Sequence, residues 1–243
     1  EILRLIYDFL GRKLPDSLDR DIEIDDLINI DHVIDILGAR RAGKTYLMYN
    51  IMKRLLRRGV ERRRLIYVNF EYGGLPKYSF EDLEDILDYI HREGIMDKCY
   101  IFLDEIHLVE GWESWVRTTY DLYKGKIKIF ISGSTSKIQR PEVATKLTGR
   151  HITLELFPLS FREFLMFKKV DISKLTKKDV LTPTEESLLR GFLQEYMEFG
   201  GYPEVVLERN PRTKIAILSN YYNDLLYRDI IIRYRIRESK PME

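Results

Sequence analysis

The chain has 243 residues, of which 44% are hydrophobic and 33% charged. That length and balance suit a nucleotide-sized folded core with a smaller companion, and exclude a disordered or membrane-embedded chain. Forty basic and 39 acidic side chains leave a formal net charge of +1, which excludes attachment to DNA through an overall basic field and confines any nucleic-acid contact to a local patch. No uncharged apolar stretch is long enough to span a bilayer, and residues 1–10 lack the basic start and cleavage site of a signal peptide. The expectation is a cytoplasmic protein without membrane insertion. Cys99, the only cysteine, heads an apolar run and reads as a small core residue.

In chain order, Val33 to Leu37 is a short apolar run ending at Gly38, the pattern of a buried strand feeding a tight turn. From Thr45 the period changes: Leu47, Met48, Ile51, Met52 and Leu55 share a helical face, and Gly59 stands where the helix would end. Residues 65–70 predict a second strand. A loop with glycine and proline follows, then a helix carrying Leu83, Ile86, Leu87 and Ile90 on one face, with Ser79 and Asp82 at its start. Residues 100–103 predict a third strand, Trp112 to Tyr123 a helix and 127–131 a fourth strand. After a helix-prone segment at 142–147, Ile152 and Leu154 indicate a fifth strand. This alternation predicts an α/β fold, a parallel sheet covered by helices, over residues 1–157. From Pro158 the strand pattern stops and helices are expected near 161–168, 183–198 and 213–235, so residues 158–243 form a small helical lid or C-terminal region.

The chemistry concentrates at two places. Gly38-Ala39-Arg40-Arg41-Ala42-Gly43-Lys44-Thr45 has the spacing of a phosphate-binding loop between a strand and a helix. Its backbone N–H groups would converge on a triphosphate at a helix N-terminus, Lys44 would reach the β- and γ-phosphates, and Thr45 would join the coordination of Mg²⁺. Tyr46, the next residue, is placed with the nucleotide contacts. Asp104 and Glu105 close the third strand. Two adjacent carboxylates there would hold the metal (Asp104) and orient and polarise the attacking water (Glu105), although acids after a strand also cap helices.

On these residues the chain resembles the P-loop ATPases: 38–45 resembles a Walker A motif, and Tyr100 to Glu105 a Walker B strand with the added glutamate of AAA-type enzymes. Leu103-Asp104-Glu105-Ile106-His107, Ile131-Ser132-Gly133-Ser134, Leu147-Thr148-Gly149-Arg150 and Pro158 to Phe164 are similar to a prokaryotic AAA-type family with variable C-terminal domains. The resemblance implies a γ-phosphate sensor at Ser132, or at Ser134 beside it, and a switch at Asn69 that restrains Glu105. It also implies an arginine at Arg150 that acts on a neighbour's phosphates, and therefore a homo-oligomer. Gly200-Gly201-Tyr202-Pro203 resembles the lid element that approaches adenine, which would put Pro203 on the base. Each has an ordinary counterpart: turn chemistry at Ser132 and Asn69, a surface ion pair at Arg150, and a loop signal at Pro203.

Lys53, Arg54, Arg57, Arg58, Arg62, Arg63 and Arg64 form a local basic cluster that suits either DNA phosphates or a solvated helix end. The four histidines are scattered without zinc-ligand spacing, so magnesium is the metal implied. The leading expectation is Mg-dependent ATP hydrolysis that drives a conformational change in a protein or DNA partner. A nucleotide-dependent switch or DNA-associated scaffold with little hydrolysis is the alternative. A small-molecule kinase fits Asp104-Glu105 less well, and a GTPase would need an Asn-Lys-x-Asp segment that the sequence lacks. The chain starts without methionine, and the resembling family continues into a further domain, so a fragment of a longer protein is expected.

Overall fold

The computed structural model describes residues 1–72, 78–133, 146–172 and 181–232. The chain divides into two compact units, Glu1–Phe157 and Pro158–Glu243.

In the first unit the elements run α1 (Ile2–Leu10), α2 (Ile24–Asn29), β1 (Val33–Leu37), α3 (Lys44–Arg57), β2 (Leu65–Asn69), α4 (Phe80–Arg92), β3 (Cys99–Asp104), α5 (Trp112–Tyr123), β4 (Ile127–Gly133) and β5 (His151–Glu155). The described strands form one five-stranded sheet in the order β2-β3-β4-β1-β5, every pair parallel. Strands β1, β2 and β3 are buried along their whole length. That explains why they read as continuous apolar runs, since a parallel sheet covered on both faces has no solvent side.

Within each strand the pleat sorts residues between two cores. Ile34 and Ile36, Leu65 and Tyr67, Tyr100 and Phe102, and Phe130 pack with Leu47, Met48, Ile51, Met52 and Leu55 of α3. The alternate residues Val33 and Leu37, Ile66 and Val68, Ile101 and Leu103, and Ile129 and Ile131 pack with α1, α4 and α5. Helix α4 begins with the capping box of Ser79 and Asp82, and Trp112, Trp115 and Tyr120 bury the inner face of α5. Cys99 lies within this second core, where burial pushes its thiol up to about 12.

Among the described residues, three helices escaped the sequence reading. Helix α1 lies against β2 and α4. It has a strong apolar face, with Ile2 and Ile6 fully buried, but at nine residues it was too short to stand out by period. Helix α2 has six residues and two acids in its first turn. In the second unit, Pro203 is the first residue of a five-residue helix and not only a loop signal.

That unit comprises α6 (Phe161–Phe167), α7 (Pro183–Phe199), α8 (Pro203–Leu207) and α9 (Pro211–Asp224), followed by a π-helical stretch, Leu225–Ile232. The helix expected over 213–235 therefore changes its winding after Asp224, and residues 233–235 lie outside the described set. Ser160 and Glu163 close the expected capping box, and Phe161, Phe164, Leu165 and Val206 pack with Phe192 and Tyr196. Gly201 lies so close to the chain at Leu159 that a Cβ there would stand 2.2 Å from the Leu159 carbonyl oxygen. Most of the helix expected at 142–147 also lies outside the described residues.

The basic cluster at 53–64 is largely committed. Arg54 and Arg58 grip Asp25, Arg63 and Arg64 pair with Glu61, Arg64 also reaches Asp97, and Arg62 lies 4.0 Å over the Phe9 ring. These contacts favour the solvated helix end over an open phosphate-binding patch.

Phe102 and Phe130 stack at the centre of the sheet, 4.8 Å apart and 5° from parallel, both without solvent exposure. Phe102→Ala is expected to lower the free energy of unfolding by about 3–5 kcal/mol, measured by urea denaturation. A loss below about 1 kcal/mol would mean that this layer is not a packed core.

Candidate functional site

The two-residue repeat that builds the α3-facing core also builds the site. Continuing each apolar row by one step gives Gly38 after Ile34 and Ile36, Asn69 after Leu65 and Tyr67, Asp104 after Tyr100 and Phe102, and Ser132 after Phe130. Parallel pairing brings these ends to one edge: Asn69 is in register with Asp104, and Leu37 with Gly133. Strand β4 lies between β1 and β3, so Ser132 sits between the 38–45 loop and Asp104. The carboxyl ends of parallel strands are where ligands bind in open α/β sheets.

The loop after β1 is shaped by residues with positive φ: Gly38 at 155°, Arg41 at 65° and Gly43 at 102°. Gly38 is required for space as well, because a Cβ there would stand 2.2 Å from the Leu156 carbonyl oxygen. Ala42 is fully buried, and its carbonyl accepts from Arg20, which also donates to the Phe157 carbonyl. Arg40 approaches Glu71 at 3.4 Å. Lys44 starts α3 and is only 5% exposed. Its ammonium donates to the Gly38 and Ala39 carbonyls, 3.1 Å each, so the lysine is folded back along the loop. Tyr46, one residue into the exposed side of α3, is half exposed and meets Tyr49 edge-on.

Asp104 has no solvent exposure. One carboxylate oxygen, Oδ2, accepts from Thr45 Oγ1 at 2.6 Å, Tyr67 OH at 2.9 Å and Asn69 Nδ2 at 3.3 Å. The other, Oδ1, accepts from the Ser132 hydroxyl, whose oxygen in turn accepts from the Glu105 backbone N–H at 3.1 Å. A buried ionised carboxylate needs such compensation. Burial and the neighbouring Asp104 push the Tyr67 hydroxyl far above its usual range, so it stays a donor.

Glu105 occupies the left-handed region, φ 55°, an uncommon conformation for a non-glycine residue that clusters at functional positions. Its carboxylate is 3.7 Å from the Lys44 ammonium and 3.2 Å from His107 Nδ1. Burial raises its pKa, opposed chiefly by Lys44 and reinforced by Asp104.

Of the residues named from sequence, 38–45, Asp104, Glu105, Ser132 and Asn69 therefore come together. Asn69 differs in detail: its amide nitrogen donates to Asp104 and to the Tyr67 hydroxyl rather than to Glu105, and its oxygen accepts from the Glu71 backbone N–H. Arg150 stands apart. Its carbonyl accepts from Val33 N–H just before β5, at the amino end of the sheet, and its guanidinium clasps Asp121 at 2.7 and 3.1 Å. Five residues of strand, roughly 16 Å, separate that end from the loop. Pro203 belongs to the second unit. Ser134 lies outside the described residues.

Sequence reasoning missed Tyr67, Arg20 and His107. Tyr67 was legible in principle, because it stands two residues before Asn69 on the same strand face. Arg20 has no local signal, since only the fold carries it to residue 42.

The donor set suits a magnesium nucleotide. The positive-φ loop and the lysine lying along it could cradle phosphates, while Thr45 and Asp104, already within hydrogen-bond distance, offer the hard oxygen donors that magnesium takes. Among the described residues no three His, Cys, Asp or Glu side chains group as a metal cluster. Magnesium does not require one, because phosphates and water supply most of its ligands.

A family model described as an AAA domain matches residues 31–165, and a second, described as a domain of unknown function, matches 190–243. An uncharacterised protein of Methanocaldococcus jannaschii is 35% identical over 226 residues, covering 93% of this chain and 47% of its own length. One of Haemophilus influenzae is 31% identical over 216 residues, covering 86% and 48%. The chain thus spans about half the length of these curated relatives. Among solved structures, a closed-state reconstruction of Hsp104 with ATPγS and FITC casein is 16% identical with a TM-score of 0.49, covering 94% of this chain and 41% of that one. An extended Saccharomyces cerevisiae Hsp104:casein complex has the same identity and score, covering 91% and 40%. No helix among the described residues is long and apolar enough to cross a membrane.

The raised pKa of Glu105 gives a prediction with a definite sign. A carboxyl whose pKa is higher folded than unfolded favours folding below the unfolded value, about 4.3, and that contribution is lost as pH rises through the folded value. Ionised Glu105 therefore costs stability at neutral pH. Glu105→Gln, which mimics the protonated form, is expected to melt higher than the native protein at pH 7.5, with the difference vanishing near pH 4. An equal or lower melting temperature at pH 7.5 would contradict the buried, strained setting of this residue.

Proposed function

Because the chain belongs to the AAA domain family, we propose that it binds ATP with magnesium and hydrolyses it, coupling nucleotide state to a conformational change in a partner. The observation that carries this reading is the convergence on Asp104: Thr45, Tyr67, Asn69 and Ser132 all donate to one buried carboxylate beside the 38–45 loop. A structural aspartate has no need of a phosphate-type loop at hydrogen-bond distance.

In this reading the backbone of Gly38, Ala39, Arg40, Arg41, Ala42 and Gly43 cradles the phosphates and Lys44 moves from the loop carbonyls to the β- and γ-phosphates. Thr45 and Asp104 hold magnesium, which when bound neutralises developing phosphate charge. Glu105 orients the attacking water and takes its proton, and the burial that raises its pKa makes it a stronger base. Ser132, bonded to both the Asp104 side chain and the Glu105 backbone, transmits a change at either to the other. Asn69 acts on the same pair through Asp104. Tyr46 is assigned to the nucleotide contacts and Pro203 to the base, with residues 158–243 as a lid. Arg150 lies at the far end of its own sheet, so its proposed action is on a neighbouring copy, after release from Asp121. That assigns a homo-oligomer, acting in the cytoplasm on a protein or DNA partner.

One observation favours the alternative, a nucleotide switch with little hydrolysis. Glu105 is already engaged by Lys44 and His107 and must be freed before it can serve water.

Phosphate release from ATP with magnesium separates the two. The native chain is expected to turn over, Glu105→Gln to lose about 10²–10⁴ of that rate while keeping nucleotide affinity, and Lys44→Ala to lose affinity. Equal release by native protein and Glu105→Gln would remove Glu105 from the mechanism. No release by either, with tight ATP binding, would establish the switch.

A further inference from the structure

Asp104 Oδ2 has more donors than a carboxylate oxygen has lone pairs to offer them. Thr45 Oγ1, Tyr67 OH and Asn69 Nδ2 lie at 2.6, 2.9 and 3.3 Å. Thr45 and Asp104 are the residues proposed to face the metal, so their mutual bond alone cannot fix the carboxylate plane. Asn69 is the most distant donor, and its oxygen is held by the Glu71 N–H. The short bond from a rigid ring is that of Tyr67.

The ring is anchored from elsewhere. Its hydroxyl accepts from Tyr49 OH and from Asn69 Nδ2, at 3.3 Å each, and its ring meets those of Tyr49 at 5.4 Å and of Phe9 at 4.9 Å. Phe9 belongs to α1, outside the 31–165 region of the family match. Arg62 fastens it by stacking at 4.0 Å and donating to the Phe9 carbonyl. Beside these rings lies a cavity of 440 Å³, lined by Leu5, Phe9, Tyr49, Tyr67 and Asn69 among others. Tyr67 lines this cavity, and Phe9 is one of the two rings that hold it on that side.

We propose that Tyr67 is a positioning residue for the metal site, fixing the Asp104 carboxylate, and that α1 sustains that position through Phe9. The proposal rests on the reading of Asp104 as a magnesium ligand. Partners that orient a ligating carboxylate without touching the metal typically contribute 10- to 100-fold to metal affinity. Removing the hydroxyl leaves the ring and its packing intact, so Tyr67→Phe isolates orientation from folding.

The test is Mn²⁺ binding to the protein–ATPγS complex, read from the free-ion EPR signal, with ATPγS affinity in EDTA and thermal melting measured alongside. Tyr67→Phe is expected to weaken Mn²⁺ about tenfold, Phe9→Ala to weaken it in the same direction, and Asp104→Asn to weaken it more than either. ATPγS affinity in EDTA should stay at the native level for Tyr67→Phe. Native Mn²⁺ affinity in Tyr67→Phe, with Asp104→Asn impaired, would overturn the role of Tyr67 and leave the reading of Asp104 standing. Parallel loss of Mn²⁺ affinity, metal-free ATPγS affinity and melting temperature in Tyr67→Phe would overturn it in favour of a structural role. Native affinity in Phe9→Ala would detach α1. Native affinity in Asp104→Asn would overturn the metal-site reading itself, and the inference with it.

Discussion

A carboxylate without access to water has to be surrounded by donors, and at Asp104 those donors come from α3, β2 and β4. Tyr67 and Asn69 come from β2, Ser132 from β4 and Thr45 from α3, so the bond set exists only if β2 and β4 are in register with β3 and α3 is seated beside them. Asn69 opposite Asp104 and Leu103 opposite Ile131 set that register at the carboxyl edge. The apolar rows beneath, with Phe102 stacked on Phe130, fix it from below. Burial that would be costly for an isolated charge becomes a constraint on geometry once the donors are supplied.

The same row logic links sequence to chemistry. Apart from Lys128 near the start of β4, the residues facing α3 on β1 to β4 are mostly apolar until the final step of each strand, where Asn69, Asp104 and Ser132 replace them and Gly38 opens the loop. The polar ends are thus continuous with the core rather than added to it. Glu105, one residue beyond, leaves the strand through a left-handed turn. Its carboxylate turns toward Lys44 and His107 while its N–H reports to Ser132. In this arrangement the two adjacent acids have distinct environments, one saturated with donors and one desolvated beside a cation, the separation expected of two different tasks.

Much of this was legible from residue order because it rests on local rules. The strand run ending at Gly38, the helix from residue 44 and the capping boxes at Ser79 and Ser160 are set by neighbours within a few positions. What escaped depended on distant contacts. Tyr67 reads as one more apolar strand residue until Asp104 is paired alongside, and Arg20 has meaning only when the fold brings it to Ala42. Asn69 was placed at the right strand end, yet which carboxylate it meets is decided by the pleat: Asp104 shares its face and Glu105 has left the sheet. Helix α1 was too short for periodicity to reveal, although it covers β2 and carries Phe9. Arg150 was found by resemblance, and only the strand direction shows that it stands at the opposite edge from the loop.

On the proposed function, the polar carboxyl edge of this sheet is a site for a magnesium nucleotide. Calorimetric titration of ATPγS into the native chain, with magnesium and then with EDTA, tests it most directly. Saturable binding is expected, tighter with magnesium than with EDTA and lost in Lys44→Ala. Binding of equal strength in magnesium and EDTA, or none in either, would contradict it.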